Sequence, residues 1–180
     1  MLVGKKVILR TIQEQDLDTL YELASDLRNA GDYWSQNMAS KHKSRKKFTE
    51  TGFWEKDWGF LLITIPDETI VGEIVFFEAA TNVGWYEIGY RIFKDENRGK
   101  GYTPEAVSLF VSYLFDTKSM DRIQASTATG NIASQRVLEK CGFKHEGTLR
   151  KAQLLHGRWE ELQLYSIIRE ESSPLRELLG

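Results

Sequence analysis

The sequence predicts a mixed α/β fold, and three segments carry this prediction. Residues 59–77 contain two apolar runs separated by Pro, Asp, Glu and Thr, a composition typical of a β-hairpin. Residues 90–115 read as a strand, a glycine-rich loop and an amphipathic helix. Residues 131–142 begin with Asn and end with Gly, the residue types that commonly cap a helix at its two ends.

The first third of the chain predicts one strand and one helix before an irregular stretch. Residues 6–10 read as a short strand, and Asp16 is placed to cap a helix whose apolar residues recur at helical spacing. Residues 28–56 lack clear periodicity and are predicted to be irregular, with a basic run at 41–47. The apolar helix residues are Leu17, Leu20, Tyr21, Ala24 and Leu27, and the irregular stretch holds the aromatics Tyr33, Trp34, Phe48, Phe53 and Trp54.

The rest of the chain predicts further strands and a closing hairpin. Gly89 lies inside one strand, which indicates a bulge or a close approach of another backbone. The predicted strands are residues 59–65, 70–77, 85–93 and 123–127, and the closing hairpin turns at His156-Gly157.

The glycine-rich loop has the properties of an anion-binding site. Glycines allow backbone N–H groups to converge on an anion, and the following helix directs the positive end of its dipole to the same place. Thr103 is placed to cap this helix, with Pro104 at the first helical position. A pyrophosphate would fit this loop, although a Gly-x-Gly before a helix also occurs as a plain turn. The loop consists of Arg98, Gly99, Lys100, Gly101 and Tyr102, and its two cations add full charge.

The second capped helix presents one apolar face. Asn131 is its predicted N-cap, and Gly142 is placed to stop it in the left-handed conformation. Val137, Leu138 and Cys141 fall on the same face. No histidine lies near Cys141 in the sequence, so we expect a buried thiol rather than an acyl-carrying nucleophile.

Composition narrows the class of protein. The chain has 180 residues, 41% of them hydrophobic, without a Pro- or Ser-rich linker, so a single domain over residues 1–180 is expected. The net charge of −2 argues against a general nucleic-acid-binding surface. A single cysteine and the lack of an apolar run of ~20 residues predict a soluble, cytoplasmic protein. His42, His145 and His156 lack the spacing of a metal site.

Five segments, taken in order, carry a resemblance to one family. They are KKVILR, GWYEIGYRI, NRGKGYTPEA, NIASQRVLEKCGF and EGTLRKAQLLHGRWEELQLYS. The chain resembles the GNAT acyltransferases and, within them, the RimJ/RimL branch of ribosomal-protein N-acetyltransferases. The resemblance implies a central, mostly antiparallel twisted sheet flanked by helices, with residues 85–93 and 123–127 splayed apart. The pantetheine arm of acetyl-CoA would lie in that gap.

The same resemblance implies which residues hold acetyl-CoA. Backbone groups of Tyr90, Arg91 and Ile92 would contact the pantetheine and acetyl groups and donate to the oxyanion. Asn131 matches the asparagine that commonly hydrogen-bonds the pantetheine arm. Glu96 stands where the family loop often has Gln or Arg, so the other loop groups must bind the anion. The pyrophosphate would be held by Arg98, Gly99, Lys100, Gly101, Tyr102 and Thr103.

Two residues are candidates for proton transfer. Glu87, on the splayed strand, is the first candidate for the base, and a solvent-facing carboxylate is the alternative. Ser134 matches a RimL-branch serine proposed to protonate CoA, but it could instead serve the first helical turn or contact CoA. Leu138 stands where related N-terminal acetyltransferases often have a tyrosine, and Gln153 stands where the RimL branch has a glutamate.

The basic run and three tryptophans have two readings each. Residues 41–47 form a solvated loop or a patch that steers an acidic acceptor or an RNA-rich target. The second alternative arises because the segment after the first helix helps to wall the acceptor site in the family fold. Trp54, Trp58 and Trp85 line the acceptor pocket or pack in the core.

The expected function is direct transfer of an acetyl group from acetyl-CoA to a primary amine, without a metal. The amine would belong to a protein N-terminus or a small molecule. The alternative is a catalytically idle acyl-CoA-binding sensor, which the departures at Leu138 and Gln153 favour. A nucleotide-binding phosphate-loop protein is disfavoured because Gly-x-x-x-x-Gly-Lys-Ser/Thr is absent. The sequence leaves homodimer formation open.

Overall fold

One sheet organises the protein. The computed structural model describes residues 1–29, 31–34, 40–79 and 84–180. The strands within these residues are β1 (Leu2–Val3), β2 (Ile8–Arg10), β3 (Trp58–Thr64), β4 (Ile70–Glu78), β5 (Tyr86–Ile92), β6 (Arg122–Ala128), β7 (Lys144–Leu155) and β8 (Arg158–Ile168). They form a single sheet in the order β1-β2-β3-β4-β5-β6-β8-β7.

Helices cover the sheet. The described residues contain α1 (Leu17–Ser25), α2 (Lys41–Thr51), α3 (Tyr102–Thr117), α4 (Ile132–Lys140) and α5 (Leu175–Leu178). None of these helices is long and apolar enough to cross a lipid bilayer.

Two apolar clusters hold the helices on the sheet. The larger one contains Phe110 of α3 and Phe76 of β4, both fully buried. The smaller one contains Leu20 of α1 and Leu62 of β3. The β3 neighbours of Leu62 belong to the larger cluster, and successive strand residues point to opposite faces. The two clusters therefore lie on opposite faces of the sheet.

Strands β5 and β6 separate after a short contact. They pair in parallel, with Tyr86 opposite Ile123 and Glu87 opposite Gln124. On its other side β5 pairs antiparallel with β4 along its whole length. Beyond Glu87, the edge of β5 that faces β6 therefore has no partner strand among the described residues. The predicted mixed fold, with a mostly antiparallel sheet that splays between these strands, is confirmed.

Predictions from short-range signals are confirmed. The β3–β4 turn closes with the Glu68 N–H donating to the Ile65 carbonyl at 2.8 Å. His156 and Gly157 have φ of 48° and 77°, as the tight turn of the closing hairpin requires. Gly142 ends α4 with φ of 86°.

Helix α2 lies within residues 28–56, which were predicted to be irregular. That prediction is wrong for residues 41–51. The Ser40 side chain caps the first turn, and Gly52 ends the helix with φ of 61°. The helix is tied to α1 by Lys41 and Arg45, whose side chains each lie 2.7 Å from Asp18 Oδ1. Because ion pairs rather than an apolar stripe make this contact, hydrophobic periodicity could not detect the helix. The capping residues could have done so.

Asp16 occupies the N-cap position of α1, as predicted, but its side chain makes no capping hydrogen bond to that helix. Its carboxylate accepts hydrogen bonds from Arg10 Nη1 at 2.6 Å, from Arg10 Nη2 at 2.8 Å and from the Gln13 N–H at 2.8 Å. The hydrogen bond from Arg10 lowers the pKa of Asp16. The pair ties β2 to the start of α1.

Gly89 marks close packing rather than a bulge. The pairing of β4 and β5 is continuous through Gly89, which lies opposite Val75. A Cβ atom on Gly89 would lie 3.2 Å from Val75 Cγ1 and 3.9 Å from the Trp34 ring. A side chain at this position would therefore crowd both neighbours.

Candidate functional site

A cleft of about 490 Å³, which we name the loop cleft, lies where the glycine-rich loop meets β5 and α4. All residues predicted to hold the cofactor line it, namely Tyr90, Arg91, Ile92, the loop from 98 to 103, Asn131 and Ser134. Three separate segments of the chain thus converge on one cleft.

The loop backbone suits an anion, but α3 begins earlier than predicted. Gly99 and Gly101 have φ of 73° and 80°, the left-handed region that favours glycine. Gly101 is the N-cap and α3 begins at Tyr102, so the predicted cap at Thr103 is wrong. Pro104 is the third helical residue rather than the first. Because N–H groups of the first turn lack intrahelical partners, proline is tolerated there and the remaining N–H groups suit an anion.

The two cations of the loop differ in their partners. Arg98 Nη1 lies 2.6 Å from Asp95 Oδ1, and both side chains are exposed. Lys100 has no ion pair with any described residue, and its carbonyl accepts a hydrogen bond from Lys6 Nζ at 3.2 Å. An anion in the loop cleft would meet Lys100 directly and would share Arg98 with Asp95.

Tyr90 and Ser134 meet across the gap between β5 and α4. The Tyr90 hydroxyl lies 2.9 Å from Ser134 Oγ and donates to the Ser134 carbonyl at 3.3 Å. Burial raises the pKa of Tyr90, so its phenol stays protonated at neutral pH. Asn131 Oδ1 accepts from the Ser134 N–H at 3.1 Å, which confirms the predicted cap. The sequence had indicated only the backbone of Tyr90, and its hydroxyl contact is new.

A second cleft, which we name the strand cleft, has a volume of about 560 Å³ and adjoins the loop cleft. It lies between β5 and β6 where these strands separate. Both clefts are lined by Tyr33, Trp34, Tyr90, Arg91, Asn131 and Ser134. Apolar residues from α1, β4, β6, α4 and β8 form most of the remaining wall. Two ligands could therefore lie in adjoining clefts and meet near the Tyr90 and Ser134 hydroxyls.

Glu87 lies in the strand cleft, at the point where the strands separate. Its Oε2 accepts from Gln124 Nε2 at 2.8 Å, and its Oε1 accepts from Ser126 Oγ at 2.5 Å. The residue is half-buried. Both donors belong to β6, so the last strand pairing and these side-chain bonds fix the carboxylate together. Glu87 is not a freely solvated carboxylate.

A buried ion pair that was not predicted supports both clefts. Arg91 Nε donates to Glu73 Oε1 at 2.9 Å, and both side chains are largely buried. The Arg91 guanidinium also lies 4.8 Å from the centre of the Trp34 ring. Desolvation raises the pKa of Glu73 against the opposing effect of Arg91. The three residues are distant in sequence, so no local pattern could reveal the contact.

Of the two alternatives for the three tryptophans, the structure favours core packing for Trp54 and Trp58. Trp54, Trp58 and Trp85 are absent from the described lining of either cleft. Trp54 packs on Phe76, with ring centroids 5.3 Å apart, and Trp58 packs against the smaller apolar cluster. Trp34 lines both clefts instead.

The basic run also lies away from the clefts. Residues 41–47 lie on α2 and do not contribute to the described lining of the strand cleft. Lys41 and Arg45 pair with Asp18, and Lys47 Nζ lies 4.0 Å from the centre of the Trp58 ring. The prediction of a loop is therefore wrong for these residues, and the steering of an acidic acceptor stays a prediction.

Gln153 and Leu138, the two positions at which the family resemblance implies a departure, both line the strand cleft. Cys141 is half-buried against the core, and its Sγ donates to the Pro104 carbonyl at 3.3 Å. Burial raises the pKa of the Cys141 thiol, which disfavours the thiolate that a nucleophile requires.

Among the described residues, no three His, Cys, Asp or Glu side chains are placed to bind one metal ion.

Known proteins match this chain over most of its length. The family described as Acetyltransferase (GNAT) domain matches residues 6–144. The chain is 33% identical over 181 residues to "Probable N-acetyltransferase YjcK" of Bacillus subtilis (strain 168), covering 95% of this chain and 98% of that protein. It is 21% identical over 170 residues to the ribosomal-protein-serine acetyltransferase of Escherichia coli (strain K12), covering 92% and 94%.

The fold also matches a solved structure. The spermidine N-acetyltransferase from Vibrio cholerae, in complex with CoA and spermine, superposes with a TM-score of 0.79 at 20% identity. The match covers 92% of this chain and 96% of that chain. Acetyl-CoA is the general acetyl donor of the family. By sequence and by fold, this chain belongs to the GNAT acetyltransferase family.

Proposed function

We propose that this protein transfers an acetyl group from acetyl-CoA directly to a primary amine, with both substrates bound at once. The observation that carries the proposal is the junction of the two clefts. The loop cleft has an anion-binding loop, and the strand cleft has a fixed carboxylate, Glu87. Hydroxyl groups of Tyr90 and Ser134 lie at the junction.

Acetyl-CoA would be held mainly by backbone groups. The N–H groups of the loop and of the first turn of α3 would bind the pyrophosphate, helped by Arg98 and Lys100. The unpaired edge of β5 from residue 90 to 92 would bond the pantetheine amides. Asn131 caps α4 through its Oδ1, so its amide nitrogen remains to donate to the pantetheine arm.

The reaction requires few side chains. The acceptor arrives as an ammonium ion and loses a proton to Glu87, directly or through one water molecule. The free amine attacks the thioester carbon, and the oxyanion accepts hydrogen bonds from β5 N–H groups. The C–S bond breaks as the nitrogen releases its second proton to solvent. Ser134 protonates the departing thiolate and recovers a proton from Tyr90, and Tyr90 takes up a proton from solvent in its place.

The strand cleft suits an acceptor with one ammonium group beside an apolar group. Its charged lining residues in the described part of the chain are Glu87 and Arg91, and Arg91 is paired with Glu73. Residues 30, 35–39 and 80–83 contain no charged residue in the sequence. A protein N-terminus meets this requirement and agrees with the RimJ/RimL resemblance and with the name of the Escherichia coli relative.

A polyamine is the second candidate, because the Vibrio cholerae neighbour is a spermidine N-acetyltransferase. A polyamine carries several cations and would need a second carboxylate along the cleft. The described lining offers one carboxylate, Glu87. The charge of the cleft therefore favours an acceptor with a single cation.

A thiol-release assay tests the proposal, with the acetylated product identified by mass. The panel contains peptides with Ser or Ala at a free N-terminus, the same peptides with a blocked N-terminus, an aromatic monoamine and spermidine. We expect turnover with the free peptides or the monoamine to exceed turnover with spermidine. CoA binding without thiol release for any amine would support the idle acyl-CoA-binding module instead.

A further inference from the structure

A third cleft, of about 540 Å³, shares Gly101 and Pro104 with the loop cleft. We name it the terminal cleft because residues near both ends of the chain line it. It lies beside the start of α3, between the segment before β2, the end of α4 and the C-terminal helix α5. None of the catalytic steps above uses it.

Three lysines line the terminal cleft. Lys5 and Lys6 precede β2, and Lys140 is the last residue of α4. All three are exposed, and none forms an ion pair with a described residue. Lys6 Nζ donates to the Lys100 carbonyl, so its charge lies directly beside the glycine-rich loop. Unpaired cations from two separate segments thus face one cleft.

Two carboxylates oppose these lysines. Glu105 accepts from the backbone N–H groups of Lys5 and Lys6, at 3.1 Å for Lys6, and is therefore already engaged. Glu177 is the other carboxylate of the lining. With three cations against two carboxylates, one of them engaged by backbone donors, the cleft attracts an anion.

We propose that the terminal cleft binds the phosphomonoester on the 3′ carbon of the CoA ribose. The proposal rests on the function proposed above. In CoA, the pyrophosphate and the 3′-phosphate are carried by the same ribose. A pyrophosphate on the glycine-rich loop therefore brings the 3′-phosphate beside Gly101 and Pro104. A phosphomonoester carries a charge of about −1.5 to −2 at pH 7, which Lys5, Lys6 and Lys140 match.

Calorimetric titration with CoA and with 3′-dephospho-CoA tests the site without requiring turnover. The wild-type protein should bind CoA at least about tenfold more tightly than it binds 3′-dephospho-CoA, since a phosphate contacted by several lysines makes charge-assisted hydrogen bonds. The triple variant Lys5→Met, Lys6→Met, Lys140→Met should lower this ratio to about twofold or less, with unchanged affinity for dephospho-CoA. Lys140→Met alone leaves the Lys6 contact with the loop intact. It should lower the ratio of the two affinities by a smaller factor than the triple variant does.

The exposed Lys56, which lies outside all three clefts, provides a matched control, and Lys56→Met should keep the wild-type ratio. Equal affinity of the wild-type protein for the two ligands would overturn the site, as would an unchanged ratio in the triple variant. Binding of inorganic phosphate to the CoA-saturated protein at this cleft would assign it to a free phosphate and overturn the link to CoA. A protein that shows the predicted ratio but releases no thiol would refute only the proposed activity.

Discussion

The hydroxyl oxygens of Tyr90 and Ser134 lie 2.9 Å apart at the junction of the loop cleft and the strand cleft. Serine is a weak acid on its own, so a serine that protonates a thiolate needs a source from which its proton is restored. The buried Tyr90 phenol is such a source, since burial raises its pKa and keeps it protonated. The pair therefore offers a short proton path to the place where CoA would leave.

Removal of either hydroxyl should slow turnover without weakening CoA binding. We expect Ser134→Ala to lower kcat by about 10²-fold and Tyr90→Phe by a smaller factor, within the usual range for loss of a proton donor. Because the two hydroxyls act in one path, the double variant should resemble Ser134→Ala rather than show the product of the two losses. Steady-state kinetics and CoA titration provide the measurements.

The pH dependence of the wild-type protein provides an independent check. Since the pKa of Tyr90 is raised, the neutral phenol persists to higher pH, and kcat should not fall from tyrosine ionisation up to about pH 10. If Ser134→Ala raised the Kd for CoA while kcat stayed unchanged, Ser134 would be a binding residue and the proton path would be wrong.

Glu87→Gln should lower turnover by about two orders of magnitude at neutral pH, because the amide cannot accept the proton of the ammonium ion. Activity should recover as pH rises and the acceptor deprotonates in solution. Ser126→Ala removes one donor to the Glu87 carboxylate but keeps the base, so its loss should be smaller and should not depend on pH in this way. Equal pH–rate profiles for Glu87→Gln and wild type would exclude Glu87 as the base.

Gly101→Val should weaken CoA binding by about 2 kcal/mol or more, because a β-branched residue is strained in the left-handed region. A Cβ atom at this position would also lie 3.1 Å from Lys6 Nζ. Gly157→Val is the matched control, since Gly157 has a similar φ of 77° but lies in the distant β7–β8 turn. If both variants bind CoA like the wild type while folded, the loop does not hold the pyrophosphate.

Helix α2 should have no part in acceptor steering. Replacement of Lys43, Arg45 and Lys46 by Ser should leave the salt dependence of kcat/KM unchanged, because these residues lie outside the strand cleft. The variant should lose some thermal stability, since Arg45 no longer pairs with Asp18. If steering occurred, kcat/KM measured from low salt to ~0.2 M would depend less steeply on salt in the variant than in the wild type. Such flattening would restore the steering hypothesis.

Local chemistry predicted much of the fold. Capping by Asn131, the left-handed Gly142 and the β-hairpin turns depend on neighbours within a few residues, and all were confirmed. The start of α3 was misplaced because Thr103 and Pro104 are good capping residues by type, whereas the left-handed Gly101 satisfies the loop geometry. Short-range signals thus predict that a helix or strand exists better than they predict the residue at which it begins.

The sequence predicted the parts of the candidate site that follow one another along the chain, but not the contacts between distant residues. The family resemblance predicted the loop and the backbone of β5, because these follow the chain in order. It could not reveal the Tyr90 contact with Ser134, which joins residues 44 apart, or the packing of Arg91 on Glu73 and Trp34. Such contacts arise only when β5 is placed between its neighbours in the folded chain.

A pH-dependent contribution to stability is expected from Glu146. Its carboxylate accepts from Arg122 at 2.6 and 2.7 Å and from Ser166 Oγ at 2.6 Å, and these bonds lower the pKa of Glu146 from 4.5 to about 2. Because the ionised form is favoured in the folded state, the stabilisation is present above pH 4.5 and is lost as pH falls toward about 2. Solvent screens the pair, since the Glu146 side chain is 37% exposed.

Urea unfolding of wild type and Arg122→Gln checks this contribution. The difference in unfolding free energy should be largest above pH 4.5 and should shrink as the pH is lowered, because the wild type then loses the contact that the variant lacks. A difference that stays constant as the pH falls through this range would show that Glu146 does not titrate with a lowered pKa in the fold.

Two-substrate kinetics distinguish direct acetyl transfer from transfer through an acetylated protein. Initial rates of thiol release are measured while acetyl-CoA and the best acceptor of the panel are both varied. Direct transfer within a ternary complex predicts double-reciprocal lines that intersect, with the acetyl group recovered on the amine by mass. Parallel lines would contradict direct transfer, because they would mean that the acetyl group leaves CoA for the protein before the amine binds.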